Sequence, residues 1–101
     1  MPSISRLGLT GRKSTVAVTP SRLSTNVNLV ANEGVQILAS PANSENMYVG
    51  YGSGITANSG DATDGFPLAP GASIFVPCRH PADIWVASIT QPNLVLWFIL
   101  Q

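Results

Sequence analysis

Residues 94–100 read Leu-Val-Leu-Trp-Phe-Ile-Leu, seven apolar side chains in succession. Side chains alternate between the two faces of a strand. Leu94, Leu96, Phe98 and Leu100 therefore share one face, and Val95, Trp97 and Ile99 share the other. A strand in a two-layer sandwich normally turns one face to the core and one to water. Here both faces demand cover. A chain of 101 residues has room for a single core, so it covers one face itself and leaves the other to its own loops or to another subunit. We expect the latter, an oligomer built around this strand, with Leu96, Trp97, Phe98 and Ile99 as the subunit interface.

The rest of the chain agrees with an all-β fold. No stretch of a dozen residues repeats apolar positions at the three-and-four spacing of a helix. Gly and Pro punctuate the sequence throughout and separate short extended runs. These runs are Thr15–Thr19, Asn26–Ala31, Val35–Ala39, Asn46–Tyr51, Gly65–Leu68, Ser73–Cys78, Asp83–Ser88 and Leu94–Leu100. Pro77 places the Ser73–Cys78 run at a sheet edge, because proline cannot donate to a ladder. In Ala69-Pro70-Gly71 the proline presets one turn dihedral and the glycine supplies a positive one. A long polar loop, Gly52–Asp64, follows the fourth run. Seven or eight short strands imply a single β-sandwich, jelly-roll-like in the eight-strand case.

Charge narrows the function. Only 10% of the residues are charged, against roughly 25% in ordinary soluble domains. A surface so poor in charge suits a chain that shares it with neighbours. The few charges are also unevenly placed. Arg6, Arg12, Lys13 and Arg22 occupy the first 22 residues with no acid among them. Beyond lie Glu33, Glu45, Asp61, Asp64 and Asp83 against Arg79 alone. Such asymmetry marks a basic segment facing an acidic partner, or a solvated extended stretch. Residues 1–22 are accordingly read as an extended basic arm that contacts a partner through those four cations, and residues 23–101 as the sandwich. An Arg- and Ser-rich, acid-poor start is also the composition of a transit peptide; docking is the reading preferred here.

Motifs with chemistry are few. Cys78 is the single cysteine, so no internal disulfide frames the fold. Cys78 and His80 would share a face, but zinc wants three or four ligands. No nucleophile, base and orienting acid are grouped in the sequence, and a cupin-like enzyme would need a histidine cluster. Gly50, Gly52 and Gly54 have neither the spacing nor the following helix of a phosphate loop. No apolar run approaches the ~18 residues of a membrane span. The aromatics lie in the acidic half and the basic segment has none, which argues against nucleic acid. The expectation is a non-enzymatic protein without cofactor, metal, nucleic-acid or membrane partner.

Met47-Tyr48-Val49-Gly50, then Gly65-Phe66-Pro67-Leu68-Ala69-Pro70-Gly71, then Asp83-Ile84-Trp85-Val86-Ala87 resemble the small β-sandwich virion proteins of tailed bacteriophages. The resemblance spans residues 35–101. It implies a capsid decoration (cement) protein on the major capsid protein of the virion, commonly a homotrimer, or else a receptor- or glycan-binding part of a tail or head fibre. Such proteins often carry a longer strand with a basic residue before the Tyr-Val-Gly run, where this chain has only Ser40–Asn46. The resemblance implies no catalytic residues.

Overall fold

The structure, a computed structural model, describes residues 10–101 in full and the backbone of Ile4–Ser5. Among the described residues there are ten strands: β1 (Ile4–Ser5), β2 (Thr10–Val16), β3 (Ser21–Arg22), β4 (Leu29–Val30), β5 (Gly34–Ala39), β6 (Met47–Gly50), β7 (Phe66–Leu68), β8 (Ser73–Pro77), β9 (Trp85–Ser88) and β10 (Leu94–Leu100). One short 3-10 turn, Pro81–Asp83, precedes β9. Two four-stranded antiparallel sheets form, in the orders β2-β10-β5-β8 and β3-β9-β6-β7. A small parallel pair, β1 and β4, stands beside them. Written side by side, the two orders match strand for strand: β2 with β3, β10 with β9, β5 with β6, β8 with β7. Sequence neighbours thus hold equivalent places in opposite sheets, which is the strand order of an eight-stranded jelly roll.

The core lies between the sheets. Val35, Ile37 and Ala39 of β5 and Leu94, Leu96, Phe98 and Leu100 of β10 meet Met47, Val49, Val86 and Leu68 from the other layer. Strand alternation is clean in the first sheet. Between its buried residues, β5 sends out Gln36 and Leu38, and β10 sends out Val95, Trp97 and Ile99. Among the described residues β7, which holds Pro67, and β8, which holds Pro77, each pair on one side only, so these are edge strands, as Pro77 implied for β8. Gly71 takes φ of 80° and the Ala72 amide donates to the Ala69 carbonyl at 2.9 Å, the turn expected from Ala69-Pro70-Gly71.

Three expectations need correction. Residues 10–22 are not an arm outside the sandwich. β2 runs beside β10, β3 runs beside β9, and Val16 is fully buried in the core. The Thr-Gly-Arg-Lys-Ser start of β2 hides this, because an exposed edge strand has no apolar alternation to display. β2 also ends before Thr19: the chain crosses to the second sheet at Ala17, whose carbonyl accepts the Ser88 amide at 2.8 Å. A bulge marks the approach. Leu94 pairs with Val16 and Leu96 with Lys13, so three residues of β2 span what two of β10 span. The Asn26–Ala31 run shrinks to Leu29–Val30 because Asn26 closes a local turn. Its side-chain oxygen accepts the Asn28 amide at 3.1 Å and its carbonyl accepts that of Leu29 at 3.2 Å.

Gly11 is one of the glycines at which the fold leaves no room for a side chain. A Cβ there would lie 2.3 Å from the tip of the Phe98 ring, which is itself 8% exposed and packed in the core. Gly11→Ala is expected to lower stability by about 1–3 kcal/mol through overpacking, read from urea unfolding. Gly52→Ala, where a Cβ meets nothing within 4 Å, serves as the near-neutral control. Equal midpoints for the two variants would show that Phe98 does not rest on Gly11.

Candidate interaction surfaces

The outward side of the β2-β10-β5-β8 sheet carries an apolar surface. Register places Arg12, Trp97, Leu38 and Ser73 in one row across it, and Thr10, Ile99, Gln36 and Phe75 in the next. Trp97, Leu38 and Phe75 remain 39%, 39% and 41% exposed. Between these rows a shallow groove of about 540 Å³ is lined by Thr10, Arg12, Leu38, Trp97 and Ile99, among others. The opposite sheet is different. At the middle of its outward side Tyr48 and Ala87 are 8% and 1% exposed, while Trp85 beside them is half-buried and Pro67 and Arg22 are exposed. The large apolar side chains left most open in the middle of a sheet are those of the first sheet, Trp97 and Leu38.

The residues expected at a subunit interface therefore separate. Trp97 and Ile99 point outward, while Leu96 and Phe98 are buried in the subunit's own core. Leu38 and Phe75 join the outward patch. Both could have been found in the sequence, since Leu38 is out of phase with Val35, Ile37 and Ala39, and Phe75 is out of phase with Ile74 and Val76.

The cations gather at one side of the sandwich. Arg6 lies outside the described residues. Arg12 sits over the Trp97 ring at 5.9 Å from its centroid and Arg22 over Trp85 at 5.1 Å. Arg22 also donates to the Ala82 carbonyl at 3.0 Å. Lys13 donates to the Thr15 hydroxyl at 3.3 Å, and partial burial holds its ammonium pKa below the usual lysine range. Arg12, Lys13 and Arg22 all line a second groove, of about 360 Å³, where β2 and the segment from Arg22 to Thr25 face each other.

The long loop is locked rather than open. The Asp64 carboxylate accepts the Ser59 hydroxyl at 2.7 Å and amide at 2.8 Å, the Thr56 hydroxyl at 2.7 Å and the Gly60 amide at 2.9 Å. These bonds, the Ser59 hydroxyl first, hold its pKa well below the usual carboxylate range. Thr63 donates to Asp61 through its hydroxyl and its amide. Beside the loop, Tyr51 and Phe66 are 61% and 60% exposed and share with Phe75, Ile74 and Pro77 a hollow of about 170 Å³. The Tyr51 hydroxyl donates to the Pro77 carbonyl at 2.8 Å, which fixes its ring across the gap between the sheets.

His80 Nδ1 lies 3.2 Å from the Leu29 carbonyl oxygen, so the ring ties β4 to the turn before β9. Burial, reinforced by the charge of Asp83, pushes the Cys78 thiol up to about 11, which makes it a poor nucleophile at neutral pH. Among the described residues no three His, Cys, Asp or Glu side chains group as metal ligands. No helix of the described residues is long and apolar enough to cross a membrane. No family model, no curated protein and no solved structure matches the chain.

The depressed Asp64 pKa means that its contribution to loop order is complete above the unfolded value near ~3.9 and is lost as pH falls toward the lower folded value. The Ser59 and Gly60 amides are expected to stay protected from hydrogen exchange at neutral pH and to lose protection below about pH 4. Asp64→Asn should speed their exchange at neutral pH while leaving Ile37 unchanged. Unaltered exchange at both loop amides would remove Asp64 from its role as the loop's anchor.

Proposed function

We propose that this chain is a non-enzymatic virion protein, a capsid decoration (cement) protein that self-associates, as a trimer by its resemblance, and binds the outer surface of a major capsid protein. Its action is adhesive. Subunits joined through the first sheet bridge neighbouring capsomers and resist their separation. The observation that carries the reading is the unfinished apolar face around Trp97, Leu38 and Phe75, in a chain with too little charge to keep such a surface in water.

Magnitudes set limits on that face. Covering the remaining two fifths of Trp97, Leu38 and Phe75 is worth on the order of 1 kcal/mol for each. That falls short of the cost of association, at least ~4 kcal/mol. Val95, Ile99 and the stem of Arg12 must therefore extend the contact, and binding side by side on a particle raises the effective concentration. Jelly rolls also occur in capsid and lectin domains, an analogy of fold alone.

A second reading rests on a different surface. Tyr51 and Phe66 are the most exposed aromatics, and they border a loop held rigid by Asp64. Exposed rings beside a fixed loop suit stacking on a sugar, as in the receptor- or glycan-binding part of a fibre. Copy number separates the two, since a decoration protein covers the particle and a fibre tip does not.

Strand alternation gives a paired test. Trp97→Lys is expected to give folded subunits of monomer mass that no longer sediment with stripped particles, whereas the wild type does. Phe98→Lys, which puts a charge in the core, is expected to abolish the β-type circular dichroism. A Trp97→Lys variant that still assembles and still decorates particles as the wild type does would remove this face from the proposal.

A further inference from the structure

We infer that the open edge of the sandwich along β2 is a binding site for an extended acidic segment of another protein, which adds as a strand beside β2 with its carboxylates on Lys13, the cation that shares the groove-side face of β2 with Gly11. β2 is seven residues long, and among the described residues it pairs on one side only, with β10. The other side presents backbone donors and acceptors at strand spacing, which an added strand satisfies without any change of fold. The groove of about 360 Å³ runs along this edge, lined by Arg12, Lys13, Ser14, Thr15, Arg22 and Ser24, with no acid in its wall.

The groove's chemistry chooses the occupant. Lys13 is partly withdrawn from water, and among the described residues its hydrogen bond is to a neutral hydroxyl. A charge desolvated without a counter-ion gains most from one that arrives. Arg12 stacks on Trp97 on the other face of β2, so Lys13 is the cation of β2 that meets a carboxylate row on the groove side. Lysine on an edge strand is also the usual guard against edge-to-edge pairing. A second copy offering the same edge would set Arg12 and Lys13 against Arg12 and Lys13, and an acidic strand meets the opposite. Nucleic acid is less suited, because stacking platforms are absent: Phe98, the aromatic in the groove wall, is 8% exposed and packed in the core. The inference gives the proposed capsid attachment a place on the molecule, and it rests on that reading only for the identity of the partner.

The test uses the full chain and a fluorescein-labelled alternating Thr-Glu peptide, with an alternating Thr-Lys peptide and oligothymidylate as competitors for the assignment. The Thr-Glu peptide should bind saturably, weaken as salt rises over the ~8–10 Å screening range, and protect amides within Thr10–Val16 from exchange. Lys13→Glu should weaken it by about tenfold or more, and Lys13→Met, which keeps the aliphatic stem, by less. Absence of Thr-Glu binding, equal or tighter binding of oligothymidylate or the Thr-Lys peptide, or unchanged affinity in Lys13→Glu would each overturn the inference. Co-sedimentation with stripped particles separates it from the virion reading. Particles that bind wild type and Lys13→Glu equally overturn the groove and keep the decoration protein. Particles that ignore the wild type, while the peptide still binds, overturn the decoration protein and keep the groove.

Discussion

Leu94, Leu96, Phe98 and Leu100 enter the core from a strand held on both sides, by β2 and by β5. This strand joins the two ends of the described chain. It pairs with residues 10–16 along one edge and with residues 35–39 along the other. The same seven residues that close the fold also leave it unfinished, because burial of one face fixes the direction of the other. Once Phe98 rests on Gly11, Trp97 has no choice but to face outward. A one-residue slip would exchange the two sets, and with them core and surface.

The charged residues do little to hold the sheets together and much to hold the loops. Glu45 accepts the amides of Ile89 and Thr90 at 2.6 and 2.7 Å and the Thr90 hydroxyl at 2.6 Å. Burial alone would raise its carboxyl, but these bonds outweigh it and keep the pKa below the usual range. Asn43 takes both polar groups of Val95, donating to its carbonyl and accepting from its amide at 2.9 Å each. This pins the segment after β5 to the start of β10, where the bulge in β2 disturbs the ladder. With Glu45 and Asp64 committed to loops, no acid lines the groove at the β2 edge where Arg12, Lys13 and Arg22 gather.

Much of the fold was legible because turns and alternation agree. The β10 run matches its strand residue for residue, and the β5, β6, β7 and β8 runs differ from theirs by a residue or two. The edge position of β8 followed from Pro77, and the Pro70-Gly71 turn followed from the dihedrals those residues prefer. β2 was misread for an equally physical reason. Thr10–Thr15 is exposed or half-buried throughout, so no apolar period exists to reveal it, and its cations made it look like a free arm. The site was half legible. The doubly apolar strand announced an uncovered face, and alternation turns Leu38 and Phe75 outward as well, but only the register sets them in rows with Trp97 and Ile99. The meeting of Lys13 with Arg22 and Ser24 across the sandwich edge has no sequence signal at all.

The central claim is that the outward face of β10 is covered by another subunit in the assembled protein. Trp97 reports on it directly once Trp85 is replaced by phenylalanine, which keeps a ring beneath Arg22. Acrylamide quenching of Trp97 in that full-length variant, followed from dilute to concentrated protein, measures the access of solvent to the face. The account predicts quenching that falls steeply with concentration toward that of a buried indole. Quenching that stays at the level of a ring two fifths exposed, over the whole range and on decorated particles alike, would contradict it.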